Sequence, residues 1–78
     1  MKKLLEYLVS EITGSEKFSV TENVNNDLIE LSVAADPEIL GLIIGKKGKT
    51  IRNIRNILKV KATLEKKGVN VNVSEKTD

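Results

Sequence analysis

The residues whose types and spacing best suit chemistry lie in one run, Ile43-Ile44-Gly45-Lys46-Lys47-Gly48-Lys49-Thr50-Ile51. Two glycines three apart enclose a pair of lysines, and isoleucines flank them. Without a Cβ, Gly45 and Gly48 let the chain turn sharply and bring its N–H groups against a ligand, while a helix after the turn adds unpaired amides and the positive end of its dipole. Lys46 and Lys47 place mobile charge at the tip, and Lys49 and Thr50 open the helix. The chemistry this suits is recognition of phosphate, and a nucleic-acid backbone presents phosphates in series.

A nucleotide-binding P-loop is the competing reading of the same residues. That motif needs a glycine, four residues, then Gly-Lys-Ser/Thr. With Gly48-Lys49-Thr50 as its end, the first glycine falls at position 43, which is Ile43. A P-loop also follows a strand, whereas this turn follows a helical pattern, so the reading is set aside.

The rest of the composition argues against catalysis. The chain has no histidine and no cysteine, which removes the commonest general base, thiolate metal sites and disulfides. Asp36 and Glu38 form an acidic pair that helix capping explains. No enzyme activity and no cofactor are expected. At 78 residues the chain reads as one domain burying only roughly 60% of its unfolded surface, so few apolar residues can be spared from the core. Near the start, Glu6 and Glu11 interrupt the apolar run and no small-residue cleavage site follows, unlike a signal peptide. The uncharged stretch from Ile39 to Gly45 is too short to span a bilayer. A cytoplasmic protein with no membrane association is the expectation.

The net charge is only +2, but it is segregated. Between Lys46 and Lys67, nine basic residues face Glu65 alone, a local charge of +8; the remainder carries four basic and ten acidic residues, or −6. Such a distribution steers a polyanion to one side of the molecule. A solvated helix with many lysines would give the same tally, and the position directly after the glycine turn is what favours a binding role.

These residues need elements to position them. Leu4, Leu5, Leu8, Val9 and Ile12 recur at helical spacing with Gly14 as a stop. Phe18, Val20 and Val24 keep a two-residue rhythm with Glu22 in phase, Asn25-Asn26-Asp27 supplies a turn, and Ile29, Leu31 and Val33 resume the alternation, predicting a hairpin. Asp36-Pro37-Glu38 predicts a helix start in which the Asp36 carboxylate accepts from free amides. Ile39, Leu40, Ile43 and Ile44 give that short helix its apolar stripe. A longer helix is predicted from about Lys49 to Lys66, with Ile51, Ile54, Leu58 and Ala62 inward, Arg52, Arg55, Asn56 and Lys59 on another face, and Gly68 ending it. Val69, Val71 and Val73 predict a last strand, with a frayed tail over 75–78. The order αββααβ gives an α+β fold: a three-stranded sheet covered on one face by three helices.

The pattern Ile-Ile-Gly-x-x-Gly-x-x-Ile between two helices resembles the KH domain, whose Gly-x-x-Gly loop clamps four backbone nucleotides. The leading helix and strand resemble its type II (bacterial) topology. The chain is similar, over about Lys2 to Ser74, to the KhpA (YlqC-type) family of small bacterial RNA-binding KH proteins, in length, in the leading helix around Leu4 to Tyr7, in Gly-Lys-Lys-Gly and in the closing Val-Asn-Val strand. The resemblance implies a single KH domain over 1–78, with an ordered core about 2–74. It further implies sequence-tolerant RNA binding, homodimers, and partnership with a larger KH protein of the KhpB (Jag/EloR) kind in controlling cell elongation and division. Relatives pair through the later turns of the long helix, where an alanine-rich segment often stands and this chain has Val60, Lys61, Thr63 and Leu64.

On this reading a single strand lays its backbone against Gly45 to Gly48, with the turn amides and those of Lys49 and Thr50 as donors. Lys46, Lys47 and Arg52 supply charge. The bases rest on an apolar groove, for which Gly41, Leu42 and Ile44, with Leu28 or Glu30 from a strand, are the candidates. The two aromatics, Tyr7 and Phe18, fall outside it, so affinity per base is expected to be low. A reading from a different class is a KH-fold dimerisation or scaffold module acting mainly through a protein partner.

Overall fold

The computed structural model describes residues 1–76. In chain order they form α1 (Lys2–Thr13), β1 (Phe18–Asn25), β2 (Leu28–Ala35), α2 (Pro37–Ile44), one 3-10 turn (Lys46–Gly48), α3 (Lys49–Leu64) and β3 (Gly68–Glu75). The sheet order is β1-β2-β3. β1 and β2 form the antiparallel hairpin, with Val20 opposite Val33 and Val24 opposite Ile29. β3 lies parallel to β2, with Val71 opposite Leu31. A parallel neighbour needs a long crossover, and α2 with α3 supplies it. The fold is α+β with the αββααβ order of a type II KH domain.

Strict alternation makes β2 the floor of the core: Ile29, Leu31, Val33 and Ala35 are buried and the residues between them only half-buried. Against it pack Leu5 and Val9 of α1, Ile43 of α2, and Ile51, Ile54 and Leu58 of α3. Each such side chain contributes about 1.5–3 kcal/mol on leaving water. Val71 is buried on β3, whereas Val69 and Val73 are only partly covered.

Several local expectations change. Ile12 is exposed, because the inward line of α1 runs Leu5, Val9, Thr13, and the Thr13 hydroxyl there donates to the Val9 carbonyl at 2.8 Å. Asp36 is the residue before α2, but its carboxylate makes no capping bond; its carbonyl accepts from the Leu40 amide at 2.8 Å. Pro37, with φ preset and no N–H to satisfy, starts the helix without it. α1 finds an acceptor elsewhere, the Lys2 amide donating to Glu22 Oε2 on β1 at 3.3 Å.

The end of α3 also differs. The reversal falls at Lys66, which is left-handed at φ 58. The Lys66 amide donates to the Thr63 carbonyl at 3.0 Å and the Lys67 amide to the Ala62 carbonyl at 2.8 Å. That is a Schellman closure with lysine where glycine is usual. Gly68 instead begins β3, against Leu28. β3 runs through Glu75 and the Lys76 amide donates to the Ala35 carbonyl at 2.9 Å, so no tail begins at Glu75. The rest of the expected tail, 77–78, lies outside the described residues.

Candidate nucleic-acid interface

The loop between α2 and α3 is built on positive φ. Gly45 sits at φ 75, ψ 175, a conformation essentially confined to glycine, and Lys47 and Gly48 are both left-handed at φ 57 and 73. The 3-10 turn is closed by the Gly48 amide donating to the Gly45 carbonyl at 3.1 Å. A Cβ on Gly45 would overlap the Thr50 hydroxyl, whereas one on Gly48 would meet open space. The first glycine therefore packs the loop onto α3, and the second only bends it.

The Lys49 amide, expected to be offered outward, donates to the Lys46 carbonyl instead, as the 3-10 turn requires. No side-chain hydrogen bond caps α3. Lys46, Lys47 and Lys49 are exposed, while Thr50 is half-buried. Among the described residues, no ion pair engages any lysine or arginine between Lys46 and Lys67.

A groove of about 650 Å³ opens between α3 and β3, walled by Arg52, Arg55, Asn56 and Lys59 on the helix and Val69 to Asn72 on the strand. Its four-residue steps along α3 carry the charge from next to the loop toward Lys67 at the far end. Arg55 alone of these side chains is tied to the strand: its Nε and Nη2 donate to the Val71 carbonyl at 3.3 and 3.0 Å.

The sequence-derived site is thus brought together in part. Gly45, Lys46, Lys47, Gly48, Lys49 and Thr50 form one continuous loop and helix start, with Arg52 one turn into the groove. Gly41 and Ile44 lie on α2 outside that groove, as does Leu42. Gly41 is exposed with open space where a Cβ would be, so no neighbouring backbone approaches it; Ile44 is half-buried against the core. Leu28 does line the groove, because its partner on β3 is Gly68, which has no side chain; Glu30 does not, because its partner there is Asn70, which lines the groove in its place. The contribution of β3 is what the sequence reading missed. Its signal was available in the polar Asn70 and Asn72 beside the basic stripe, but strand order cannot be read from periodicity.

A third stripe of α3 is apolar and exposed. Ile57, Val60 and Leu64 are 47%, 62% and 77% accessible. Thr63 does not belong to it: that residue lines the groove, and its hydroxyl donates to the Lys59 carbonyl at 2.8 Å.

Fold and loop together define a type II KH domain with a Gly-Lys-Lys-Gly loop. A family model described as KhpA/KhpB, KH domain, matches residues 2–73, and the chain belongs to that family. "RNA-binding protein KhpA" of Clostridium perfringens is 32% identical over 74 residues, covering 94% of this chain and 99% of that protein. The protein of the same name from Clostridium acetobutylicum shows the same identity and coverage. That from Halalkalibacterium halodurans is 24% identical over 94% of this chain and 97% of its own length. The family is a class of binding modules and not of enzymes. Among the described residues, no helix is long and apolar enough to cross a membrane.

Proposed function

We propose that the chain is a non-catalytic binder of single-stranded RNA whose Gly45-Lys46-Lys47-Gly48 loop clamps the sugar-phosphate backbone while bases enter the α3–β3 groove. The observation that carries this reading is the uncompensated positive surface running from the loop into that groove, on a fold whose named relatives are RNA-binding proteins. Loop amides and lysines hold phosphates, which position the strand without reading it. With no aromatic platform in the groove, each base adds little, so one domain binds loosely.

Ile57, Val60 and Leu64 give a second copy a surface to cover, and a homodimer doubles the binding sites and gains by effective concentration. The cytoplasmic role that fits is a post-transcriptional regulator or RNA chaperone linked to bacterial cell elongation and division, in company with a larger KH protein of the KhpB (Jag/EloR) kind. A scaffold module acting mainly through a protein partner is the second reading, and the same exposed stripe favours it. Replacing Lys46 and Lys47 with aspartate separates the two. RNA crosslinking collapses while the oligomer measured by sedimentation persists; undiminished crosslinking contradicts the assigned loop.

A further inference from the structure

Arg55 is held in a way that removes an acceptor from the groove. Its guanidinium takes the Val71 carbonyl through both Nε and Nη2, and Val71 lies on β3, the outer strand beside α3. The N–H and C=O of one strand residue point to the same edge, so the Val71 amide shares the open edge with the carbonyl that Arg55 occupies. A bare edge residue offers one donor and one acceptor. That pair matches an amino-bearing base, the N6 amino and N1 of adenine or the N4 amino and N3 of cytosine. With the carbonyl taken, only donors remain: the Val71 amide and the guanidinium N–H groups not engaged, since arginine carries five donors and no acceptor. Donors suit a base with an oxygen in the amino position, O4 of uracil or O6 of guanine, and arginine on guanine O6 and N7 is the commonest specific base contact. Arg52 and Lys59 have no main-chain bond to β3 among the described residues, which leaves them as mobile charges for phosphate.

We propose that Arg55, by holding the Val71 carbonyl, makes the α3–β3 groove select the keto bases uracil and guanine over the amino bases cytosine and adenine. This rests on the single-stranded RNA reading above.

The test compares short uridine and cytidine oligomers of equal length, both unstructured pyrimidines, binding to the intact protein at one salt concentration. The wild type is expected to prefer uridine by about fivefold or more. Arg55→Ala lowers affinity for both through lost charge but frees the Val71 carbonyl, so the uridine to cytidine ratio falls to one or inverts. Arg55→Lys keeps the charge and loses the fork, and guards against a folding defect in the alanine variant; its ratio also falls. Equal wild-type binding of the two oligomers overturns the proposal, as does an unchanged ratio in both variants. Binding of neither oligomer overturns the RNA reading itself, and this selection with it.

Discussion

Thr50 stands directly against Gly45: its hydroxyl and Cβ fill the volume that any side chain at Gly45 would need, with the Cβ 2.6 Å from where such an atom would lie. The loop's first glycine is thus fixed by packing as well as by its backbone angles, and the two glycines of the motif are unequal. Gly45→Ala must both relieve that overlap and hold a φ/ψ nearly closed to alanine, costing about 3 kcal/mol or more. Gly48→Ala meets open space and costs only the left-handed penalty, about 1–2 kcal/mol. Urea denaturation of the two variants reads the difference directly; equal losses contradict the packing of Thr50 on the loop.

Lys47 tolerates exchange better than its place in the motif suggests. It is left-handed at φ 57 and exposed, a conformation that aspartate visits more readily than lysine. Lys46→Asp with Lys47→Asp therefore leaves the thermal midpoint within a few degrees of wild type while RNA affinity falls more than tenfold. Parallel melting and anisotropy titrations check both halves.

The α3 terminus carries removable strain. Lys66 occupies the left-handed position of a complete Schellman closure, where glycine is the usual residue. Lys66→Gly is expected to stabilise the fold by about 1 kcal/mol, or roughly 4–8 °C in Tm for a domain of this size. Differential scanning calorimetry measures it, and a lowered Tm contradicts the assigned turn.

The exposed apolar stripe of α3 and its groove-lining residues lie on different faces of the helix. Leu64→Asp places charge on the exposed apolar stripe, and Thr63→Asp places it in the groove. Sedimentation is expected to show Leu64→Asp as a monomer with a folded circular-dichroism spectrum, and Thr63→Asp as an intact dimer with weakened RNA binding. The same phenotype from both contradicts the division.

The elements were legible because each carries its own period: α1 and α3 at helical spacing, β2 in strict alternation through Ile29, Leu31 and Val33, and the glycines of the loop. That Gly45 to Gly48 would form a turn opening a helix was legible for the same local reason. What the sequence could not carry was non-local. That Lys49 spends its amide on Lys46, that β3 forms the outer wall of the groove, and that Arg55 reaches the Val71 carbonyl all depend on which elements meet. Thr63 and Leu64, both assigned to pairing by resemblance, are adjacent on α3 and so turned about 100° apart, to different faces. The placement of Gly68 failed for a subtler reason: lysine accepted the left-handed position at Lys66, so glycine was free to open β3 against Leu28.

Electrostatics should dominate the affinity. Two to four phosphates held by Lys46, Lys47, Lys49 and Arg52 give log K a slope against log salt of roughly −1.5 to −3 for a single strand. Titrations across a salt series test this, and the slope should shrink by about one unit or more when Lys46 and Lys47 are replaced together.

The most direct measurement is a heteronuclear NMR titration with a short single-stranded RNA at low ionic strength, following backbone amides and the Arg55 side chain. The account predicts progressive shifts at Gly45 to Thr50, along Arg52 to Lys59 and at Val69 to Asn72, with α1 quiet. Unmoved loop resonances, or shifts confined to Ile57, Val60 and Leu64, would contradict it.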